Sequence, residues 1–188
     1  MVRNAARRTA LTDAGIRVLA DEGARGLTHR AVDDAAGTPR GTASNYFARR
    51  EDLISALVDR IGERLAPDPG VAEALRQRRP GPEVFGAYVR DIVRRLTADP
   101  HATLALFELR LEASRRPAVA AAIGAWRDRG FADDLAFTVG EGLPGGRLEI
   151  ALLHFAVDGL VFDRLTQPLD DGVELDEAID ALVSRLLR

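Results

Sequence analysis

The stretch from Gly26 to Leu53 constrains the fold of this 188-residue chain more than any other. Its spacing predicts two short helices joined by a tight turn and followed at once by a third helix. Thr28 is placed to accept a hydrogen bond from the backbone N–H two or three residues on, as an N-cap does. Leu27 and Val32 have the spacing of a hydrophobic staple around that cap. The first short helix therefore has a defined beginning.

A turn ends this helix and begins the next. The helix is expected to bury Val32 and Ala35 and to end at Gly37, which takes the left-handed C′ conformation cheaply. Thr38 is predicted to cap the second helix, with Pro39 at the first helical position, where no N–H is needed. The second helix is then about two turns long, which is too short to be stable unless it docks on neighbours.

The second helix is expected to show small or polar residues on one side and apolar residues on the other. Its small or polar residues are Arg40, Gly41, Thr42, Ser44 and Asn45. Its apolar and aromatic residues, which can face inward, are Ala43, Tyr46 and Phe47. A helix-turn-helix has this arrangement, because nothing bulky stands between the helix and the major groove of DNA.

The same stretch carries a family resemblance. The residues that carry it are Leu27-Thr28, Ala35-Ala36-Gly37, Gly41-Thr42, Tyr46-Phe47 and Glu51-Asp52-Leu53. Together they resemble the DNA-binding domain of the tetracycline-repressor (TetR/AcrR) family of transcriptional regulators, over about the first third of the chain. The remainder is similar to the family only in size and helical pattern. The resemblance implies a homodimer that binds a palindromic operator on double-stranded DNA and is released by a small molecule.

Contacts to DNA divide into those that position the protein on phosphates and those that read bases. Thr28, Tyr46 and Arg50 are the candidates for phosphate contacts, and Arg40 can reach either a phosphate or a guanine. Plain packing is an equally good interpretation of Tyr46. Many relatives carry Lys just after the Tyr-Phe pair, where this chain has Ala48. Its phosphate contact is then lost or shifted to the arginines that follow, and binding should depend strongly on salt.

Base reading is assigned to the second helix. Thr42, Ser44 and Asn45 are expected to face the groove, and Asn45 can pair with adenine through two hydrogen bonds. Gly41 would let the backbone approach DNA closely.

Three arginines, Arg3, Arg7 and Arg8, lie at the entrance of the first helix. In a DNA complex they could reach phosphates or the adjacent minor groove. A solvated, frayed N-terminus is the alternative.

Composition and charge agree with such a protein. Residues 1–50 hold nine Arg against five acidic residues, whereas the other 138 hold 17 Arg against 24 acids. A basic end on an acidic body is typical of a DNA reader joined to a separate module, although chains also drift by a few charges. The chain has no Cys, which excludes disulfides, thiolate chemistry and Cys-ligated metals. Without a signal-peptide core or membrane-length apolar run, a soluble cytoplasmic protein is expected.

Apolar periodicity predicts an all-α fold. We expect a three-helix helix-turn-helix DNA-binding domain at 1–49, a linking helix at 50–66, and a helical ligand-binding and dimerisation domain at 67–188. The prolines of the APDPG segment at 66–70 mark the boundary. The predicted helices span 4–22, 51–65, 71–78, 82–98, 102–115, 117–139 and 147–166, and a final helix carries a regular apolar stripe formed by Leu175, Ile179, Leu182, Val183 and Leu186.

The helix at 147–166 is apolar nearly all round, so it must be covered on every side. The protein itself can cover one side, and a partner subunit would cover the other. The last two helices are therefore expected to form a homodimer interface. A helix at the centre of a monomeric bundle is the alternative.

A small-molecule site is expected among the helices between 82 and 166. Aromatics at helical spacing more often form core, but the candidate lining residues are Phe85, Tyr88, Val89, Phe107, Leu111, Trp126 and Phe131. His154 and Asp158 lie four residues apart on one face. They could bind a ligand, hold a metal with further residues, or form an internal pair at the dimer interface, which is the simplest interpretation. No metal site or cofactor is predicted.

Two other functions compete with a ligand-responsive regulator. An enzyme would need a nucleophile–base pair, a phosphate-cradling loop or a metal triad, and none of these appears in the sequence. The second alternative is a helix-turn-helix protein without an effector, acting through protein contacts or DNA architecture. A C-terminal half with no cavity would favour it.

Overall fold

The computed structural model describes residues 4–170 and 172–187. This part of the chain contains helices and no strand, so the predicted all-α class is confirmed. The helices are α1 Ala5–Gly26, α2 His29–Ala35, α3 Thr42–Tyr46, α4 Arg50–Arg64, α5 Pro69–Arg76, α6 Pro82–Ala98, α7 Pro100–Ala113, α8 Pro117–Gly140, α9 Arg147–Leu165 and α10 Leu175–Leu186. None of the helices described is long and apolar enough to cross a membrane.

Two helices begin earlier than the sequence indicated, and both do so at a proline. Asp68 accepts hydrogen bonds from the backbone N–H groups of Gly70 and Val71, so α5 begins at Pro69. Asp99 accepts from the N–H of Ala102 in the same way, and α7 begins at Pro100. An Asp N-cap followed by Pro at N1 is a strong helix start, whereas we had interpreted these prolines as breaks.

The chain forms two compact units. The N-terminal unit contains the residues up to Leu65 together with Asp99–Trp126. The C-terminal unit contains Ala66–Ala98 and the residues from Arg127 onward. Residues 99–126 thus pack with the helix-turn-helix segment, although they are remote from it in sequence. The functional division at 1–49, 50–66 and 67–188 stays a prediction.

In the N-terminal unit, α1 packs against α2, α4 and α7. Its centre is made of fully buried aliphatic residues: Leu11, Ile16, Leu19, Leu53, Leu57, Ile61 and Leu109. Each such side chain contributes about 1.5–3 kcal/mol of hydrophobic stabilisation. α1 and α4 approach closely at Gly15, where a Cβ would lie only 2.8 Å from the Cδ2 of Leu57. Gly23, at φ 70°, interrupts α1 near its predicted end at Glu22.

Arginine pairs fix the far end of α4 within the same unit. Arg60 Nε donates to Asp13 at 2.9 Å, and this hydrogen bond raises the pKa of Arg60. Arg64 binds both carboxylate oxygens of Asp99 at 2.7 Å. Because Asp99 also caps α7, the end of α4 and the beginning of α7 are held at one point.

In the C-terminal unit, α6 packs against α5, α9 and α10. Its buried side includes Phe85, Val89 and Val93. α10 buries Ile179 and Val183. α9 buries only one face, formed by Ile150, Leu153, Val157 and Val161, and leaves large apolar residues exposed on the other.

Candidate nucleic-acid interface

α2 begins and ends as the sequence predicted. The hydroxyl of Thr28 accepts from the N–H of Ala31 at 3.0 Å, and Leu27 and Val32 are fully buried on either side of the cap. Gly37 has φ 62°, and the N–H of Thr38 donates to the carbonyl of Asp33 at 3.0 Å, which completes a Schellman turn. The prediction that Ala35 is buried is wrong, because Ala35 is exposed.

The predicted start of the second helix is also wrong. α3 begins at Thr42 and has five residues, not two turns. Gly41 is its N-cap and takes φ 91°, which only glycine adopts readily. Thr38 donates its hydroxyl to Asp33 Oδ1 at 3.2 Å and does not cap a helix, and Pro39 lies before the helix.

The cap of α3 comes from another helix. Asp33 of α2 is 1% exposed, and its Oδ2 accepts from the N–H of Gly41 at 2.8 Å. Its Oδ1 accepts from the N–H of Ala43 at 2.7 Å. This role of Asp33 was not predicted from the sequence. The available signal was an acidic side chain beside Val32, on the side of α2 that faces the protein.

The outward side of α3 is open. Arg40, Gly41, Ser44 and Asn45 are exposed and Thr42 is half-buried, while Ala43 and Phe47 face the core at 0% and 2% exposure. Thr42 donates its hydroxyl to the carbonyl of Pro39, and Ser44 donates to the carbonyl of Gly41 at 3.0 Å. These two hydroxyls therefore present acceptor lone pairs, whereas the exposed amide of Asn45 offers both a donor and an acceptor. A Cβ built at Gly41 has no atom of the described residues within 4 Å.

The N-terminus of α1 lies beside α3. The hydroxyl of Tyr46 accepts from the N–H of Asn4 at 3.2 Å, and Tyr46 is half-buried. The guanidinium of Arg8 lies over the ring of Phe47, 5.3 Å from its centroid. Arg7 and Arg8 are exposed, and Arg3 lies outside the described residues. Tyr46 thus packs through its ring and also keeps its hydroxyl at the surface.

Arg50 is placed differently from the expectation. Its guanidinium donates to the carbonyl of Leu27 and, through Nη2 at 2.6 Å, to the carbonyl of Ala24. The N–H of Ala24 in turn donates to Glu108 of α7 at 3.4 Å. A phosphate contact needs a guanidinium directed to solvent, so this geometry corrects the role expected of Arg50. Its hydrogen bonds instead fix the connection between α1 and α2.

Arg49, by contrast, is exposed over 74% of its side chain. It donates to Asp52 at 2.8 Å, and this hydrogen bond raises the pKa of Arg49. Of the two arginines, Arg49 is therefore the one whose side chain extends into solvent.

Comparison with known families agrees with this geometry. Residues 11–57 match the family described as "Bacterial regulatory proteins, tetR family". Residues 80–188, more than half of the chain, match "Tetracyclin repressor-like, C-terminal domain". The chain belongs to the TetR family. Members of this family are transcription regulators and not enzymes, and the matched segments are its DNA-binding and ligand-binding domains.

Solved structures of TetR-family regulators share the fold. The multidrug binding protein EbrR complexed with imidazole is 28% identical, with 97% of this chain and 95% of that chain covered and a TM-score of 0.69. A TetR-family member from Streptomyces coelicolor, SCO1917, is 27% identical, with 97% and 98% covered and a TM-score of 0.71. FadR from Bacillus subtilis, in complex with stearoyl-CoA, is 18% identical over 95% and 96% with a TM-score of 0.71, which shows the fold alone. No curated protein matches the chain.

The predicted ligand-binding residues of this TetR-family chain are divided between the two units. Phe107, Leu111 and Trp126 belong to the N-terminal unit, and Phe85 and Tyr88 belong to the C-terminal unit. Their surroundings also differ. Phe85 is a core residue at 3% exposure, while Leu111 is 52% exposed.

The two larger aromatic candidates are used in packing. Trp126 packs against α4, where its Nε1 would lie 2.8 Å from a Cβ at Gly62. Tyr88 stands edge-on to Phe137 with the ring centroids 4.9 Å apart, and its hydroxyl donates to the carbonyl of Ala72. Burial raises the pKa of Tyr88.

His154 and Asp158 are both bound to α8. His154 Nε2 lies 2.9 Å from Asp134 Oδ2, and Asp158 accepts from Arg127 at 3.3 Å. The ring of His154 also stands edge-on to Phe131. The internal pairs are therefore made with α8 of the same chain, which corrects the expected His–Asp pair across a dimer interface.

Two open grooves lie in the C-terminal unit. The α6–α10 groove, of about 450 Å³, is lined by α5, α6 and α10, with Leu75 and Ile179 as apolar lining and Arg90 and Asp91 as polar lining. The α8 groove, of about 650 Å³, runs along the second half of α8 and includes Phe131 and Arg147. Of the predicted lining residues, Phe131 lines the α8 groove, and the others line neither groove.

Proposed function

We propose that this TetR-family chain is a cytoplasmic transcriptional repressor that binds a palindromic operator as a homodimer and is released by a small molecule. The observation that carries this proposal is the outward side of α3, which is polar, free of bulky apolar groups and held from behind by Asp33. An element of this kind fits the major groove.

The exposed groups suggest which residues contact bases and which contact phosphates. Asn45 reads adenine, and Arg40 contacts guanine or a phosphate. The hydroxyl of Thr28 accepts from the N–H of Ala31 and retains its proton for donation to a phosphate oxygen. Gly41 brings its open backbone close to DNA, and Arg49 supplies the phosphate contact that we first considered for Arg50.

The dimer interface is proposed on α9. Leu148, Leu152, Phe155 and Phe162 recur at intervals of four, three and seven residues and are 66%, 42%, 65% and 46% exposed. An apolar stripe of this length marks an interaction surface. Because Ile179 and Val183 of α10 are buried, we place the second element of this interface at the end of α8, where Val139 is 70% exposed, and not on α10. The same stripe from two chains gives a self-complementary interface with twofold symmetry.

The effector is proposed to be a small aromatic compound. EbrR, at 27–28% identity, is a multidrug binding protein crystallised with imidazole and with ethidium. In this chain the α8 groove offers a ring, Phe131, and a guanidinium, Arg147, which lies 5.1 Å from the ring centroid. Apolar surface with a few polar groups is the usual composition of a small-molecule site.

The test begins with DNA. Double-stranded oligonucleotides are selected from a random pool on the purified protein, and the complex is then titrated with ethidium, imidazole and a panel of aromatic compounds. We expect one enriched operator and release by at least one compound. An operator that no compound releases would favour a helix-turn-helix protein without an effector. Failure to enrich any sequence would overturn the repressor proposal.

A further inference from the structure

Asp33 occupies an unusual place for a carboxylate. It is 1% exposed, so it cannot touch DNA itself. Its hydrogen-bond donors are the hydroxyl of Thr38, the N–H of Gly41 and the N–H of Ala43, at 3.2, 2.8 and 2.7 Å. All three lie in the turn or in α3, whereas Asp33 lies on α2. One side chain therefore joins both helices of the helix-turn-helix and the turn between them.

α3 depends on this contact more than a longer helix would. A helix of five residues is unstable alone, and its first N–H groups have no partners within the helix. Its own N-cap residue, Gly41, has no side chain to bind them. A carboxylate accepts through both oxygens, and its charge favours the positive end of the helix. Bonds between N–H groups and a charged acceptor are also stronger than neutral ones.

We propose that Asp33 is a positioning residue for base recognition: it sets the angle and depth at which α3 presents Asn45 to the major groove. This inference rests on the proposed operator binding. It goes beyond that function because it assigns specificity to a buried residue of the supporting helix. A displacement of about 1 Å at α3 is enough to break paired hydrogen bonds to a base.

The substitution Asp33→Asn tests the proposal because it keeps the shape of the side chain. An amide has one acceptor oxygen, so its NH₂ group must face one of the N–H groups of Gly41 and Ala43, and at least one bond is lost. The control is Asp34→Asn on the next residue. Asp34 is 58% exposed in its side chain and pairs with Arg30 at 3.8 Å, so this control removes the same charge without touching α3.

The two variants have opposite expected effects on affinity for the selected operator. Removal of a negative charge near DNA alone should leave binding equal or tighter, and we expect this for Asp34→Asn. Asp33→Asn should bind the operator about tenfold to a hundredfold more weakly, with a smaller loss on unrelated DNA. The amides of Gly41 and Ala43 should exchange hydrogen faster, while that of Ala31, capped by Thr28, should not change. A purely structural role would not change the preference for operator over unrelated DNA.

A milder variant covers the case in which Asp33→Asn does not fold. Thr38→Val removes only the hydroxyl donor and should weaken operator binding about two- to tenfold with its helical signal intact. If Asp33→Asn binds like Asp34→Asn, or if Thr38→Val changes neither affinity nor exchange at Ala43, the positioning role is wrong. The wild-type protein separates the two proposals, because failure of the wild type to select any operator counts against the function and not against Asp33 alone.

Discussion

Arg49 and Arg50 are adjacent in the sequence but have different surroundings. Arg49 is solvated and paired with Asp52, whereas Arg50 holds the carbonyls of Ala24 and Leu27. A count of basic residues near the helix-turn-helix would not distinguish the two arginines. Their contributions to stability and to DNA binding should therefore separate when each is replaced.

We expect Arg50→Met to lower the free energy of unfolding by about 2–3 kcal/mol, because two carbonyls lose a charged donor. Thermal melting followed by circular dichroism measures this. Arg49→Met is the matched control and should leave the melting temperature unchanged while it reduces the dependence of operator affinity on salt. If Arg50→Met kept its stability and lowered the salt slope by about one, Arg50 would be the phosphate contact after all.

Asn45 is the residue on which base reading depends most directly. Asn45→Ala should relax the preference for one base pair in the operator by about 1–3 kcal/mol and leave the helical signal intact. Competition binding between the operator and single-base variants measures this preference. Gln77→Ala, which removes an exposed amide just after the end of α5, is the control. If the base preference of Asn45→Ala were unchanged, Asn45 would not contact a base in the major groove.

At the scale of helices, the beginning of α9 carries its own pH dependence. The N–H of Gly146 donates to Glu149 Oε2 at 2.8 Å, and this bond lowers the pKa of Glu149 below its ordinary value of 4.5. A folded-state pKa below the unfolded value means that the ionised carboxylate stabilises the fold above pH 4.5. The contribution is lost as the pH falls through the lowered pKa.

Glu149→Gln isolates this contribution because its side chain does not titrate. We expect wild type to melt at a higher temperature than Glu149→Gln at pH 6, and the difference to shrink steadily below pH 4.5. Melting curves of both proteins between pH 6 and pH 3 provide the measurement. A difference that stays constant with pH would mean that the carboxylate charge plays no part in the cap.

Helix bounds followed from the sequence wherever the signals were local. α6 has its predicted limits, and α9 ends within one residue of the prediction, because apolar spacing and flanking Pro or Gly define both. The end of α2 at Gly37 was also predicted from the sequence. The start of α3 was not predicted correctly, because its cap is supplied by Asp33, eight residues before Gly41, and no local pattern reveals such a contact.

The candidate site shows the same limit. Exposure of Ser44 and Asn45 followed from spacing and polarity. The inward course of Arg50 did not, because its acceptors are backbone carbonyls that lie 23 and 26 residues earlier. His154 likewise has a partner 20 residues away on α8, and only the packing of α8 against α9 identifies it.

At the scale of the whole molecule, the proposed operator binding requires two copies of the chain. The exposed apolar stripe of α9 is the surface expected to join them. Two linked copies of α3 bind two half-sites far more tightly than one copy binds one, because the second contact is made at high effective concentration. Assembly and operator affinity should therefore be lost together.

Phe155→Glu places a charge in the middle of this stripe and should convert the dimer to a monomer of 20.3 kDa. Light scattering after gel filtration measures the mass. Leu169→Glu is the control, because Leu169 is 73% exposed but lies beyond α9. A wild-type protein that is already monomeric, or a Phe155→Glu protein that remains a dimer, would contradict the interface.

The spacing of operator half-sites tests the central claim most directly. A selected half-site is placed in inverted pairs at a series of separations, and the affinity of the wild-type protein is measured for each. A symmetric dimer should bind tightly when the half-site centres are about 34–36 Å apart, or a multiple of that distance, and weakly between these separations. Equal affinity at every separation, or for a single half-site, would show that α3 is not presented twice by a symmetric dimer.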